Sequence, residues 1–249
     1  MSAAPTISAI IPTYCEAETA PVVVNKLHTH GVAETIVVDD SPTLDTAEAV
    51  RQRHPETTVI HRDGDGLASA VIRGFAAATG DVYLVVDGDG QHPPDAAAAI
   101  AERVAATDAD LVLGTRHADG GAVADDWPAH RRLISHGADA LARVAVPPAR
   151  ETSDPMSGLF AVDAAVVDSV LPRLRPAGYK ISLELLARCP IETVAEVGYE
   201  FQTADSESNL GAREYVRYLR HLVRLAGPSR SPSIGREQVL SPGATDGAD

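Results

Sequence analysis

With 249 residues, 45% of them hydrophobic, the chain is long enough for one sizeable α/β domain and a tail. Its 35 acids outnumber 21 bases for a net charge of −14, and Lys26 and Lys180 are the only lysines. That balance argues against a nucleic-acid partner, which needs a basic face, although molar salt, with a Debye length of about 3 Å, softens the argument.

A densely carboxylated, lysine-poor surface is halophile-like, because such groups stay hydrated in a very salty cytoplasm. Cys15 and Cys189 lie far apart and match no metal-ligand spacing, so both are expected as free thiols in a reducing compartment. No charged N-terminal segment leads into an apolar stretch, and no window nears about 18 uninterrupted apolar residues. Neither a signal peptide nor a transmembrane helix is expected.

Short apolar runs alternate with helical stretches. Ile7 to Pro12 is predicted as a strand, Glu18 to Gly31 as a helix C-capped by Gly31, Glu34 to Asp39 as a strand and Thr43 to His54 as a helix. Next come the strand Val59 to Arg62, an Ala-rich helix from Gly66 to Gly80 and the strand Val82 to Val86. A helix from Asp95 to Thr107 and a strand from Asp110 to Gly114 complete the regular part. Such alternation means βαβ units and a mostly parallel sheet flanked by helices on both faces. Beyond Arg116 the pattern loosens into a loop at 117–130 and a helix from Arg131 to Val146. A turn and strand within Asp154 to Asp163 follow, with helices over Ala164 to Leu171 and Ser182 to Arg188. A strand from Val194 to Gln202 and a helix from Ala212 to Leu225 close a domain predicted to span residues 1–226. From Gly227 the sequence is rich in Ser, Pro and Gly, so 227–249 is predicted to be a disordered tail.

The most informative segment runs from Val82 to Asp95. The apolar run ending at Val86 delivers Asp87 and Asp89 to the C-terminal end of a buried strand, where open parallel sheets bind ligands. Residues two apart in an extended segment point the same way, so the two carboxylates can grip one cation. Gly88 and Gly90 allow a tight turn and close approach, Gln91 adds a neutral oxygen, and Pro93-Pro94 ends the loop before a helix. Oxygen-only ligands suit Mg²⁺ or Mn²⁺, which bridge to substrate phosphates. The competing reading is a solvated Asp-Gly turn, and for His92 a structural place in the loop rather than a metal ligand.

Three further strand ends carry polar residues: Pro12-Thr-Tyr-Cys-Glu16, Asp39-Asp40-Ser41-Pro42 and Gly114-Thr-Arg116. Tyr14 is placed to stack on a base and Glu16 to hydrogen-bond it. Adjacent carboxylates at Asp39 and Asp40 are costly without a polar ligand or cation. Taken singly, each has a plain alternative: a helix N-cap for Asp39 or Ser41, a surface salt bridge for Arg116. Together, on one sheet edge, they outline a nucleotide pocket.

The runs Ile10-Ile-Pro-Thr-Tyr-Cys-Glu16, Val37-Val-Asp-Asp-Ser-Pro42, Asp87-Gly-Asp-Gly-Gln-His-Pro-Pro94, Gly114-Thr-Arg116 and Asp154-Pro-Met-Ser-Gly158 follow one another at a characteristic spacing. Over about residues 6–225 they resemble the dolichyl-phosphate mannose synthases and related polyprenyl-phosphate glycosyltransferases of glycosyltransferase family 2, with a GT-A fold. The resemblance implies a metal-dependent, inverting transfer of a hexose from a GDP-mannose- or UDP-glucose-type donor to dolichyl or polyprenyl phosphate. Such a product feeds protein glycosylation or surface glycan synthesis. The implied location is peripheral, at the cytoplasmic face of the membrane, with a small membrane anchor subunit as an optional partner. Pro12, Tyr14, Glu16, Val38 and Asp40 would hold the nucleoside; Asp87, Asp89 and Gln91 would hold Mg²⁺ or Mn²⁺, with Gly88 offering its backbone. Arg116, Arg131 and Ser135 would address the acceptor phosphate and the transferred sugar, Arg116 also reaching the donor.

This sequence departs from the family where an arginine and a lysine usually cover the donor diphosphate: Thr203 and Asn209 stand there. Cys15 replaces the usual asparagine, and Asp65 a common lysine. In the last predicted helix, Arg213, Arg217, Arg220 and Arg224 form a basic stripe, with Tyr215, Leu219, Leu222 and Val223 largely to another side, as in helices that lie on anionic membranes. The alternative is a packed helix with a solvated arginine face. Other functional readings are the same fold with another donor or a non-lipid acceptor, and a nucleotide-binding subunit of reduced activity. A sugar-nucleotide pyrophosphorylase would carry a Gly-rich basic loop after the first strand, where this chain has Pro-Thr-Tyr-Cys-Glu.

Overall fold

The structure is a computed structural model describing residues 5–62, 64, 66–116, 129–174, 180–200, 212–226 and 235–236; the side chains of 105, 129–136, 212–215 and 217 fall outside it, as do those of 235–236. Its strands are β1 (Ile7–Thr13), β2 (Glu34–Asp39), β3 (Thr58–His61), β4 (Val82–Val85), β5 (Leu111–Thr115), β6 (Phe160–Asp163), β7 (Thr193–Gly198) and β8 (Gly235–Arg236). The helices are α1 (Ala20–Thr29), α2 (Asp45–Arg53), α3 (Leu67–Phe75), α4 (Pro94–Ala106), α5 (Ala129–Ala145), α6 (Ala164–Asp168), α7 (Ile181–Arg188) and α8 (Ala212–Leu225).

One sheet runs in the order β3-β2-β1-β4-β6-β5-β7-β8. Strands β1 to β4 pair in parallel, as do β5 and β7, whereas β6 runs antiparallel between β4 and β5. The expected βαβ order holds, and β6 is what turns the sheet from parallel to mixed. Near-continuous apolar strands are the mark of a sheet buried on both faces. Alternate residues sort to the two sides: Ile10, Val85 and Leu113 pack in one cluster, Ile11, Leu84 and Val112 in the other. The first cluster is roofed by residues of α3, α5, α7 and α8, the second by α1 and α4. Phe75 of α3 stacks on Tyr83 of β4 with ring centroids 5.4 Å apart.

Several boundaries differ from expectation by a few residues, among them α6, which ends at Asp168 rather than Leu171, and two differences are larger. Helix α3 stops at Phe75 instead of reaching Gly80: the N–H groups of Ala76 to Ala78 still turn back to the carbonyls of Ile72 and Gly74, but the next two take side-chain acceptors. Thr79 donates to Glu34 Oε2 at 2.9 Å and Gly80 to Ser8 Oγ at 2.8 Å, drawing the chain onto the sheet's N-terminal edge. Within 227–249, predicted as a disordered tail, Gly235 and Arg236 extend the sheet beside Thr193 and Val194. The rest of 227–249 lies outside the described residues.

Candidate active site

Parallel register puts the C-terminal ends of β1 and β2 side by side, Thr13 opposite Asp39, and β4 on the other flank of β1. After β1 the chain turns at Cys15, whose φ of 58° is the only positive value at a non-glycine among the described residues. Asparagine tolerates that left-handed geometry better than cysteine, a backbone reason for the asparagine usual in the resembling family. The turn is pinned by two hydroxyls of the next unit: Cys15 N–H donates to Ser41 Oγ (2.8 Å) and Glu16 N–H to Thr46 Oγ1 (3.0 Å). Tyr14 is left 64% exposed at the rim, free to offer a ring face. Pro12 and Val38 are buried side by side beneath it.

Glu16 points inward. Burial first, then Asp89 and Asp87, pushes its carboxyl up to about 8, and its Oε2 is buried without a hydrogen-bond partner. The Asp87–Gly90 turn wraps against it: a Cβ on Gly88 would sit 2.5 Å from Glu16 Oε2 and 2.6 Å from Thr13 Cγ2. Gly88 therefore supplies close approach, and Gly90, at φ +77°, supplies the turn. Asp89 accepts the Gln91 N–H at 2.9 Å, and desolvation, with Asp87 beside it, raises its pKa. His92 is buried in the loop, its Nε2 3.1 Å from Asp87 Oδ2, and its ring lies 5.5 Å from that of Tyr199.

The acids after β2 are satisfied by the protein itself. Asp39, fully buried, accepts from Thr13 Oγ1 (3.1 Å) and Ser41 Oγ (2.5 Å) and faces His61 Nδ1 at 3.1 Å. Asp40 takes a two-pronged bond from Arg62 at 2.8 Å on each prong, and the Gly66 N–H at 2.8 Å. The polar partners that adjacent carboxylates require are thus hydroxyls, an imidazole and a guanidinium. Neither Asp39 nor Ser41 caps α2, which starts at Asp45.

Across the edge, Arg116 at the end of β5 clasps Asp154 with Nε at 2.8 Å and Nη2 at 3.1 Å. This is an ion pair with a buried acid, not a surface bridge. Burial acts most strongly against the guanidinium charge, but Asp154, by charge and hydrogen bond, raises the pKa together with Tyr199 and Asp87. Sequence reasoning passed over Lys180, just before α7. Its Nζ donates to Met156 O at 3.2 Å, and desolvation, helped by Arg116, pushes it down to about 8 while Asp154 and Asp87 pull the other way. A signal existed: it is one of two lysines in an arginine-rich chain. Gly158 closes the set, since a Cβ there would lie 2.6 Å from Asp87 Oδ2. The structure thereby brings Tyr14, Glu16, Asp87, Asp89, Gln91 and Arg116 to one sheet edge. Asp40 lies there too, held by Arg62. Arg131 and Ser135 fall on α5, with their side chains outside the described residues; Asp65, Thr203 and Asn209 lie wholly outside them.

Both cysteines are free; Cys15 is exposed, and burial pushes the Cys189 thiol up to about 12. On α8 the side chains of Arg213, Tyr215 and Arg217 lie outside the described residues, and the others divide between an exposed and a buried side. Val216, Leu219 and Val223 are exposed beside Arg220 and Arg224, whereas Tyr218, His221, Leu222 and Leu225 are buried. At 100° per residue the exposed five cover one continuous arc, with Arg220 and Arg224 at one end of it and Leu219 and Val223 at the other. Among the described residues, no helix is long and apolar enough to cross a membrane.

The architecture is that of GT-A glycosyltransferases. The glucosyl-3-phosphoglycerate synthase of Mycobacterium tuberculosis, solved with Mn²⁺, UDP and phosphoglyceric acid, superposes with a TM-score of 0.66 at 21% identity, covering 92% of this chain and 80% of that one. Mannosyl-3-phosphoglycerate synthase from Rubrobacter xylanophilus gives 0.60 at 20% identity, covering 89% and 72%. In sequence, the Glycosyl transferase family 2 profile matches residues 8–162. A dolichol-phosphate mannosyltransferase of Pyrococcus furiosus is 39% identical over 226 residues, 88% of this chain and 63% of that protein. The Saccharomyces cerevisiae dolichol-phosphate mannosyltransferase is 34% identical, with 77% of this chain and 74% of that protein covered, and the Mycosarcoma maydis one 33%, with 90% and 80%. The chain belongs to glycosyl transferase family 2.

Proposed function

We propose that the chain transfers a hexose from a nucleotide diphosphate sugar to dolichyl or polyprenyl phosphate at the cytoplasmic face of a membrane, with inversion at the anomeric carbon. The observation that carries this reading is the meeting of Glu16, Asp87 and Asp89 with Arg116 and Lys180 at one sheet edge. The names of the archaeal and fungal relatives support a dolichyl-phosphate acceptor and a mannosyl donor.

The residues fit a divalent ion. Three carboxyl groups crowd together, and a buried Glu16 oxygen has no hydrogen-bond partner, which is a cost unless a cation or a donor group sits beside it. Asp87, Asp89 and Gln91 would hold Mg²⁺ or Mn²⁺, as oxygen ligands favour. When bound, the ion offsets charge developing on the departing nucleoside diphosphate. Tyr14 offers its exposed ring to the base, with Glu16 as a hydrogen-bonding group, while Pro12, Val38 and Asp40 shape the nucleoside floor. Arg116 and Lys180, with Arg131 and Ser135 from α5, supply cations and a hydroxyl for the acceptor phosphate and the sugar. That acceptor is already an anion, so it needs positioning more than a general base. In-line attack on an α-linked donor then gives a β-linked lipid-phosphate sugar.

The exposed face of α8 supports a membrane-bound acceptor. The neighbouring α5, tied to the buried side of α8 by Tyr218 Oη donating to Ala138 O at 2.7 Å, also exposes apolar residues, Leu141 at 48% and Val144 at 72%. Apolar side chains flanked by Arg220 and Arg224 suit a lipid surface of negative charge.

The test is incubation with membranes, Mg²⁺ or Mn²⁺, and labelled GDP-mannose, UDP-glucose or UDP-N-acetylglucosamine. Label from one donor should enter the organic phase, and Asp89→Ala should abolish it. Failure with every donor would sink the proposal, and activity retained in Asp89→Ala would remove Asp89 from the metal site.

A further inference from the structure

A second cluster sits at the opposite, N-terminal margin of the sheet. His28 lies in the last turn of α1, His54 directly after α2, and Glu56 in the turn leading to β3. The Nδ1 atoms of both histidines face the same oxygen, Glu56 Oε1, at 3.3 Å for His28 and 3.5 Å for His54. The three atoms lie within 4.8 Å of one another. The rings meet edge to face, 5.6 Å between centroids at 83°.

For His54 the outer nitrogen decides what the inner one is. His54 Nε2 lies 2.9 Å from Pro21 O, and a carbonyl only accepts, so Nε2 carries a proton and the neutral ring presents a bare lone pair at Nδ1. His28 Nε2 lies 3.0 Å from Thr35 Oγ1, itself 2.9 Å from Thr57 Oγ1, so this ring too is oriented by a hydroxyl chain behind it. A ring N–H held by an oxygen behind it, which turns the other nitrogen toward the metal, is how protein sites orient metal-ligating histidine. With His28 Nε2 donating to Thr35, both Nδ1 lone pairs face one carboxylate oxygen, and a cation between them removes the repulsion; with Thr35 donating instead, a proton on His28 Nδ1 would bridge to Glu56.

The geometry points to a site for one Zn²⁺-like transition ion, held by His28 Nδ1, His54 Nδ1 and Glu56. With metal–ligand bonds of about 2.0–2.1 Å, neighbouring ligands of a tetrahedral ion lie roughly 3.3–3.4 Å apart. The two nitrogen–oxygen separations already stand at 3.3 and 3.5 Å. The side chain of Glu56 is 56% exposed, so water can complete the coordination. Imidazole nitrogens select zinc, cobalt, nickel or copper over Mg²⁺, which separates this cluster from the all-oxygen edge. Its place between α1 and the α2–β3 turn suits a staple for the first two βα units rather than catalysis.

The full chain, dialysed free of metal and then held in excess Mg²⁺ to occupy the carboxylate edge, is titrated calorimetrically with Zn²⁺. One equivalent should bind. Glu56→Gln and His28→Gln, both at partly exposed positions, should each weaken binding by at least about 10-fold. Co²⁺ should give visible bands of tetrahedral strength, lost in both variants, and Zn²⁺ should raise the melting temperature of the parent chain but not of Glu56→Gln. Asp89→Ala should bind Zn²⁺ as the parent does. No stoichiometric binding by the parent would overturn the assignment and leave a proton-filled cluster. Parent-like binding in Glu56→Gln, or loss of the equivalent in Asp89→Ala alone, would overturn it too.

Discussion

Arg116 and Asp154 stand 38 positions apart and meet in a two-pronged ion pair, Nε to Oδ2 at 2.8 Å and Nη2 to Oδ1 at 3.1 Å. Asp154 is 3% exposed, so its charge depends on that guanidinium. Because β6 lies between β4 and β5, the loop preceding β6 carries Asp154 to Arg116 and Gly158 to Asp87. Asp154→Asn should cost about 2–3 kcal/mol, below the 3–5 of a fully buried pair, since a quarter of the Arg116 side chain meets solvent. Urea midpoints of the two proteins check this, and an unchanged midpoint would refute it. Turnover should fall as well, because Arg116 loses its fixed orientation.

Gly158→Ala tests the packing of Asp87. The added methyl would begin 2.6 Å from Asp87 Oδ2, and aspartate is too short to bend away while His92 Nε2 holds the same oxygen at 3.1 Å. Displacing a catalytic group by about 1 Å can cost on the order of 10² in rate. We expect kcat to drop by that order with little change in melting temperature. Parent-like kcat would show that the Asp87 position is not critical.

Lys180 gives a pH-dependent signature. Its folded pKa, about 8, lies below the ordinary 10.5, so the folded chain binds its proton less tightly than the unfolded chain. Below about pH 8 both states are charged and the full destabilisation applies; as pH rises from about 8 to 10.5 it is relieved. Lys180→Met should therefore be more stable than the parent at pH 7, by on the order of 2–3 kcal/mol, with the advantage shrinking toward pH 10. Its turnover should fall, since a cation beside the site is gone. Urea titrations at pH 7 and pH 10 with matched rate measurements decide the matter, and a pH-independent difference would contradict the argument.

The outer face of α8 should bind anionic lipid. Each surface arginine contributes about 1 kcal/mol near such a membrane, so replacing Arg220 and Arg224 with glutamine should weaken vesicle co-sedimentation roughly 10-fold or more in low salt. Val223→Ser should weaken it through lost apolar contact and less salt dependence. Equal sedimentation of all three proteins would exclude this face as the docking surface.

Local sequence was informative at the ends of strands. Apolar runs closing on Asp39-Asp40, on Asp87-Gly-Asp89 and on Thr115-Arg116 announced both the layering and the polar sheet edge, because strand period and turn chemistry are written in consecutive residues. Less was legible about partners. Nothing local distinguishes Asp39, clothed in hydroxyls, from Asp40, clamped by Arg62.

The chain alone thus determined an α/β sheet with paired acids at its carboxyl margin, since periodicity, glycine and proline act over a few residues. Tertiary structure decided that β6 would enter antiparallel and that Lys180 would join Arg116. It also set His28 against His54 and Glu56. These contacts join positions tens of residues apart, and only packing the whole sheet settles which distant side chains share the same few ångströms.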